Sequence, residues 1–287
     1  MITLTRLVSY CVRYLLVLTA VAVTLFPIIW IVTMAFKPPA EWTTAVDQHW
    51  LPRNPTWGNF DFIFSGTTRD LIVTLDRSAT QPILASLLTA SLGTVIAVTI
   101  GTLAAYGVAR LGRGRNLPLA LLQLRLFPPL AVLIPVMIMW GFLGMIDTWW
   151  GLSLIYGIVT LPFAFWLMMT FFNEMPTELE EAALVEGCTP WRVFYRVVLP
   201  MVKSALATTV LFVFILNWSD YAIALLLTRK DWVTIPVFMN ALSSAMTGQM
   251  YGPKAALAVI AAVPPVVLGL VIQKHLVRGL TFGALKQ

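Results

Sequence analysis

The stretch that decides the fold is residues 178–200, ELEEAALVEGCTPWRVFYRVVLP, where a short acidic segment turns basic and aromatic before it stops at a proline. Five glutamates lie between Glu174 and Glu186. Yet only 11% of the 287 residues are charged and 59% are hydrophobic, whereas soluble proteins carry about 25% charged residues. We therefore expect this stretch to be a polar connection between apolar segments.

Long apolar runs lie on both sides of this connection. Four of them contain no Asp, Glu, Lys, Arg or His, and two more are interrupted only by Arg125 and Asp220. A helix that crosses a membrane needs about 20 predominantly apolar residues. The sequence therefore predicts an all-α integral membrane protein with six spans, at roughly 14–36, 81–109, 117–146, 151–173, 204–227 and 255–273.

The basic residues predict the orientation of the spans. One set of alternate connections holds Lys and Arg mostly in the longer segments 37–80 and 228–254, which weigh less in this rule. In the other set the basic residues flank the spans, and they are Arg6, Arg13, Arg110, Arg113, Arg115, Arg192, Arg196, Lys203, Lys274, Arg278 and Lys286. Positive charge of this kind faces the cytoplasm. Both termini and a tail at 274–287 are then cytoplasmic, and the segments 37–80 and 228–254 are extracytoplasmic. The net charge of +6 is read as a topology signal, and no nucleic-acid partner is expected.

The acidic half of the quoted stretch has the pattern of a short helix. Thr177 and Glu180 have the spacing of a capping box at a helix N-terminus. Leu179, Ala182 and Ala183 fall on one face of that helix. Because two of these side chains are small, a partner surface could approach the backbone closely there.

The basic half predicts a second short helix. Gly187 can adopt the left-handed conformation that ends a helix, and Thr189 followed by Pro190 can begin another. Pro200 marks a break before the fifth span. The sequence thus predicts two short helices that meet at a glycine corner and lie parallel to the membrane. Such a pair of helices either docks a partner protein or is an interfacial amphipathic segment that binds no partner.

The spacing in this connection also resembles a family motif. Glu181-Ala182-Ala183, then Gly187, then Val197-x-Leu199-Pro200 is similar to the EAA loop of ABC-importer permeases, with valine where isoleucine is usual. The resemblance covers nearly the whole chain apart from 40–80 and is to the carbohydrate, MalG-like branch. It is carried by FPIIW at 26–30, YGVARL at 106–111, FP at 127–128, IP at 134–135, LPF at 161–163 and VRGL at 277–280.

This resemblance implies the type I ABC-importer permease fold, with six transmembrane helices in one domain over 1–287 and cytoplasmic coupling helices in a loop at 174–200. It implies a non-catalytic subunit of the bacterial or archaeal inner membrane that takes up a sugar, such as a trehalose- or maltose-type saccharide. The implied partners are a MalF-like permease chain, an ABC ATPase dimer, an extracytoplasmic sugar-binding protein and membrane lipid. The ATPase would bind ATP and Mg, since this sequence has no G-x-x-x-x-G-K-[ST] loop. No metal site or other cofactor is expected in this chain.

Three sets of contact residues follow from the resemblance. ATPase docking is expected at Glu181, Ala182, Ala183, Gly187, Leu199 and Pro200. A tail that contacts the ATPase is expected at Arg278, Gly279, Gly283 and Lys286. A loop that contacts the binding protein is expected at Thr247, Gly248 and Gln249.

Polar groups inside the spans suggest a route for the solute. Intramembrane charges usually face the bundle interior or a wet cavity, so Asn217, Ser219, Asp220 and Arg125 are candidates for the translocation path. For Asp220 the alternative is a structural cap or ion pair. For Arg125 the alternatives are an internal pair, a side chain that reaches the inner face, and a contact to the partner permease. Trp218-Ser219-Asp220-Tyr221 stands where the family often has Trp-Asn-Glu-Phe.

Other readings of the sequence stay open. An ATP-independent secondary transporter or channel is one, although no inverted repeat is visible. A permease for a polyol or for glycerol 3-phosphate is another, because related permeases carry these solutes. A scaffold without a transport role is a third.

Overall fold

The computed structural model describes residues 4–42, 49–67, 78–112, 114, 116–126, 129–244 and 248–284. Its helices are α1 (Leu4–Ala35), α2 (Gly58–Ser65), α3 (Thr80–Leu111), α4 (Leu117–Leu126), α5 (Pro129–Phe142), α6 (Trp149–Glu174), α7 (Glu178–Val185), α8 (Pro190–Val193), α9 (Leu199–Met201), α10 (Lys203–Trp218), α11 (Ala222–Leu227), α12 (Ile235–Ala241) and α13 (Tyr251–Ala284). A 3₁₀ turn covers Pro39–Glu41, and a π-helical turn, Phe194–Val198, joins α8 to α9. Two short strands, β1 (Ser243–Ser244) and β2 (Gly248–Gln249), pair antiparallel.

Four helices in the described part of the chain are long and apolar enough to cross a membrane. They cover Ser9–Ala35, Thr80–Leu111, Trp149–Glu174 and Tyr251–Gln273, and they match four of the predicted spans. A fifth would be the segment Pro190–Met201 with Lys203–Trp218, which bends by 77°. The helical class is therefore confirmed, while the full count of six spans stays a prediction.

The two remaining predicted spans are each described as two helices. The span at 117–146 is helical in α4 and again in α5, which ends at Phe142, and residues 127–128 between them lie outside the described residues. The span at 204–227 is divided at Ser219–Tyr221 between α10 and α11. A uniform apolar run does not reveal such a break, since the polar residues there are only two.

The chain forms two compact units, residues 1–80 with 239–262 and residues 81–238 with 263–287. In the first unit the buried Asn59 closes the C-terminal end of α1, because its side-chain amide donates to the carbonyl oxygens of Ala35 and Lys37 at 2.9 and 2.8 Å. These carbonyls have no partner within the helix. A Cβ on Gly252 would lie 2.5 Å from the Asn59 side chain, so glycine is needed beside this cap.

In the second unit α3 and α6 pack closely through small residues. Gly93, Ala97, Gly101 and Ala105 recur every fourth position along α3 and are buried, which is the small-xxx-small pattern of close helix contacts in membranes. A Cβ on Gly101 would lie 2.9 Å from the Cβ of Ala164 in α6. This seam fixes the distance between the two helices.

Candidate functional site

The connection between α6 and α10 forms the candidate coupling segment, residues 174–200. The predicted first helix is present as α7, but the predicted capping box is wrong. Thr177 has helical backbone angles and its side chain caps no N–H group of the described chain. The Glu180 side chain does not turn back to the helix start; it is 6% exposed and points to α3. The positive charge of Arg110 on α3 offers the carboxylate an ion pair, which a backbone N–H cannot.

Arg110 and Tyr106, at the end of α3, hold the Glu180 carboxylate. Arg110 Nε donates to Glu180 Oε1 at 2.7 Å, and the Tyr106 hydroxyl donates to Oε2 at 2.9 Å. A second guanidinium nitrogen of Arg110 donates to the carbonyl oxygen of Met175 at 2.8 Å. The Glu180 and Arg110 side chains are 8% and 12% exposed. These contacts of Tyr106, Arg110 and Glu180, here called the joint, connect the start of α7 to α3. The joint was not predicted from the sequence, since its only signal there is a Tyr and an Arg four residues apart.

The predicted glycine corner is confirmed. Gly187 has a φ of +88°, and the N–H of Gly187 donates to the carbonyl of Leu184 while that of Cys188 donates to Ala183. This pair of hydrogen bonds is the Schellman arrangement that ends a helix. A Cβ on Gly187 would meet no described atom within 4 Å, so the backbone angle, and not space, favours glycine there.

The second helix begins as predicted. Thr189 accepts the Arg192 N–H at 3.4 Å and Pro190 occupies the first turn of α8. The π-helical turn follows, and the chain bends by 77° into α10 two residues after Pro200. The buried core around this bend contains Ala105, Leu121, Phe165, Met168, Phe172, Val193, Phe194, Val198, Val202 and Ala205. The coupling segment is therefore packed into the helical body along its second half.

The predicted docking residues divide between the surface and this core. Glu181, Ala182, Gly187 and Pro200 are exposed. Ala183 and Leu199 are half-buried and pack against the core of the bend.

Large apolar side chains add to the exposed part of the segment. Val185 is 89% exposed, Trp191 64% and Leu179 52%. The segment thus presents acidic and apolar groups to its surroundings.

The polar candidates in the spans have separate roles in the structure. Asn217 is buried, and its amide nitrogen donates to Thr94 Oγ1 at 3.2 Å. Ser219 is exposed at the end of α10. Asp220 Oδ2 accepts the N–H groups of Ile223 and Ala224 at 3.1 and 3.2 Å. Asp220 therefore caps α11, as the structural alternative has it.

Thr94 also lines a cleft of about 310 Å³. The cleft lies between α3, the π-helical turn and α10, and its walls include Thr94, Thr102, Phe194, Tyr195, Leu206 and Val210. Thr102 Oγ1 is buried and has no hydrogen-bond partner among the described residues. The translocation role of Asn217, Ser219 and Asp220 stays a prediction.

The remaining predicted contact residues lie at the limits of the described chain. Arg125 is in α4, and Arg278, Gly279 and Gly283 are in α13, which continues the sixth span as a helix; their side chains are outside the described part. Lys286 and Thr247 lie outside the described residues. Gly248 and Gln249 form β2, a short strand that the sequence did not predict.

The connection between α5 and α6 supplies a second anchor that the sequence did not predict. Asp147, between α5 and α6, accepts the N–H groups of Lys230 and Asp231 on Oδ2 at 2.8 and 2.9 Å and that of Trp232 on Oδ1 at 2.9 Å. Partial burial raises the pKa of the Asp147 carboxyl, but hydrogen bonds from the backbone of 229–232 outweigh it, so this pKa is below its ordinary value. No local pattern identifies partners more than 80 positions away.

The family model described as "Binding-protein-dependent transport system inner membrane component" matches residues 97–282. This chain belongs to that family. The match includes the whole coupling segment, the joint to α3 and most of α13. The long apolar helices agree with an integral membrane permease.

Individual relatives extend the match to nearly the full chain. The trehalose transport system permease protein SugB of Mycobacterium tuberculosis is 35% identical over 93% of this permease and 94% of its own length. The trehalose/maltose transport system permease protein MalG of Thermococcus litoralis is 32% identical, with 96% and 97% covered. A solved bacterial ABC transporter involved in the import of the acidic polysaccharide alginate matches with a TM-score of 0.75 at 20% identity, covering 96% of this permease and 98% of that chain. The fold is thus that of the type I ABC-importer permeases.

Proposed function

We propose that this chain is the permease subunit of an ATP-driven importer that takes up a neutral di- or oligosaccharide. It works with a second, MalF-like permease chain, an ABC ATPase dimer and an extracytoplasmic solute-binding protein in the bacterial or archaeal inner membrane. The observation that carries this proposal is the coupling segment, which exposes apolar and acidic groups while its second half is packed into the helical body. A transporter that works without a partner ATPase needs no exposed docking segment of this kind.

The coupling segment receives movement from the ATPase. Its α7 face with Glu181 and Ala182, together with exposed Val185 and Trp191, docks on the ATPase. The tail with Arg278, Gly279, Gly283 and Lys286 gives a second contact to the same partner. ATP and Mg are bound by the ATPase, and this chain contributes no catalytic group.

A hydroxyl-bearing solute is favoured by two observations. Relatives that match over nearly the full chain are named for trehalose and maltose transport. Thr94 and Thr102 line the cleft beside α10, and the Thr102 hydroxyl has no partner among the described residues. Sugar hydroxyls supply both donors and acceptors for such groups. Asn217, Ser219, Asp220 and Arg125 border the path, and the loop with Thr247, Gly248 and Gln249 contacts the binding protein.

The test is uptake by the reconstituted complex. Proteoliposomes with both permease chains, the ATPase and the binding protein should take up labelled maltose or trehalose with ATP, and not with ADP or an ion gradient alone. Uptake that follows an ion gradient without ATP would instead indicate a secondary transporter.

A surface variant tests the docking face separately. Val185→Ser with Trp191→Ser removes two exposed apolar side chains, so the fold should remain while the ATPase that co-purifies falls at least fivefold. Phe142→Ser is the matched control, because Phe142 is 88% exposed but lies at the end of α5. Equal ATPase recovery in the two variants would contradict the docking role.

A further inference from the structure

We propose that Arg110, Tyr106 and Glu180 form a mechanical joint that positions α7 and transmits its movement to α3, a role that rests on the proposed function. These three are positioning residues. They act behind the docking face, since Glu180 is buried while Glu178, Glu181 and Glu186 on the same segment are exposed. One acidic side chain of the segment therefore has a different purpose from the others.

The geometry of the joint fixes α7 at more than one point. Tyr106 and Arg110 are four residues apart, so they project from one face of α3. Each holds a different oxygen of the Glu180 carboxylate, at 2.9 and 2.7 Å. Two donors on α3 therefore bind the two carboxylate oxygens of one residue on α7. A translation or rotation of α7 relative to α3 would break at least one of these charge-assisted hydrogen bonds.

Arg110 also connects a third element. Its second guanidinium nitrogen donates to the carbonyl oxygen of Met175, the residue that caps the C-terminal end of α6. The same side chain thus joins α3 to the end of α6 and the start of α7. A displacement of α7 therefore acts on α3 directly through these side-chain hydrogen bonds, and not only along the backbone that connects the two helices.

The Tyr106 ring extends the joint to the other half of the coupling segment. Its centroid lies 4.9 Å from that of Phe194, in the π-helical turn, and 5.5 Å from that of Phe172 in α6. Tyr106 therefore contacts the segment on both sides of the Gly187 corner. The two halves of the segment converge on one residue of α3.

Burial of the ion pair argues for positioning more than for stability. A buried ion pair loses solvation and is often no more stabilising than apolar side chains of the same volume. Its contribution here is a directional contact that apolar packing cannot supply. Loss of one partner leaves the other charge buried and unpaired, so a charge-swapped pair is needed beside the single variants.

The test compares Glu180→Gln with Glu178→Gln in the reconstituted complex. Both variants remove one acidic charge from α7, but Glu178 is exposed and outside the joint. We expect the Glu180→Gln complex to retain its ATPase and to hydrolyse ATP, while the labelled maltose moved per ATP falls at least fivefold. The Glu178→Gln complex should match the wild type. An unchanged maltose-to-ATP ratio in Glu180→Gln would overturn the proposal, and so would loss of the ATPase with a normal ratio in the complexes that remain.

Three further variants test the joint if Glu180→Gln does not assemble. Tyr106→Phe keeps the ring contacts and removes one hydrogen bond, so the ratio should fall about twofold. The swapped pair Arg110→Glu with Glu180→Arg should restore part of the ratio that Arg110→Glu alone loses. A wild-type ratio in Tyr106→Phe together with no rescue by the swap would refute the joint.

A readout without transport separates this proposal from the proposed function. Amide hydrogen exchange at residues 181–186 should be faster in Glu180→Gln or Tyr106→Phe than in Glu178→Gln, because the joint holds α7. If the wild-type complex moves no sugar with ATP, the proposed function fails while faster exchange still supports the joint. Equal exchange rates in all these variants would contradict the joint, even if the wild-type complex imports sugar with ATP.

Discussion

The Glu180 carboxylate has two possible sets of hydrogen-bond partners, one in its own helix and one on α3. A capping box would use it to satisfy a backbone N–H at the start of α7. The structure uses it to bind Arg110 and Tyr106 instead. Both hydrogen bonds would involve the charged carboxylate, but only the one from Arg110 pairs it with a positive charge, and α7 begins without a side-chain cap from Thr177.

The charge of Asp147 should stabilise the contact between the α5–α6 connection and residues 230–232. Asp147→Asn keeps a residue type that tolerates its positive φ of 56°, so the variant removes the charge and one of the two acceptor oxygens without adding backbone strain. Since a hydrogen bond to a charged group contributes about 1.5–3 kcal/mol and Asp147 is partly exposed, we expect a loss of about 1–2 kcal/mol. Thermal unfolding of the purified complex at pH 7 measures this loss.

The pH dependence of the same variant follows from the direction of the pKa shift. A carboxyl whose pKa is lowered by folding contributes its full stabilisation above its ordinary value, which is 3.8, and loses it as the pH falls through the lower folded value. The difference between wild type and Asp147→Asn should therefore be constant from about pH 5 to pH 8. A difference that disappears between pH 7 and pH 5 would show that Asp147 is not the responsible group.

At the scale of elements, the seam between α3 and α6 depends on the absence of side chains. At Gly101 a Cβ would lie 2.9 Å from both the Cβ of Ala164 and the backbone nitrogen of Phe165, which is closer than packed atoms approach. Gly107, on the same helix, has no described atom within 4 Å of such a Cβ. The two glycines thus form a matched pair.

Gly101→Ala should destabilise the protein, and Gly107→Ala should not. Overpacking costs about 1–3 kcal/mol, whereas alanine is favoured over glycine by about 0.5–1 kcal/mol inside an unobstructed helix. Thermal unfolding of the two complexes in one detergent gives the comparison. Similar melting temperatures for the two variants would mean that α3 and α6 are not held at the distance described.

The break in the fifth predicted span also belongs to this scale. It lies in apolar sequence, where a composition argument expects a continuous helix. The Asp220 carboxylate accepts the N–H groups of Ile223 and Ala224 and so provides the acceptor that begins α11. A short polar interruption therefore divides a span that hydrophobicity alone would join.

At the scale of the whole molecule, the basic residues predict that the coupling segment is cytoplasmic and the segment after α1 extracytoplasmic. The natural Cys11 and Cys188 are free and can be replaced by serine before single cysteines are introduced. In intact cells an impermeant maleimide should label Asn54→Cys, and it should label Glu186→Cys only after permeabilisation. Both positions are exposed, so access across the membrane is the only difference. The reverse labelling pattern would invert the orientation and exclude docking of a cytoplasmic ATPase.

The sequence by itself determined the features that depend on neighbouring residues. Four long apolar runs became helices because a chain in lipid must satisfy its own backbone hydrogen bonds, and Gly187 and Thr189 ended and began helices through local backbone geometry. Only the tertiary structure decided which distant groups meet. Arg110 reaches Glu180 across 70 positions and Asp147 reaches Lys230 across 83. Such pairs depend on how the helices pack. The spacing of residues along one helix does not identify which other element will pack against it.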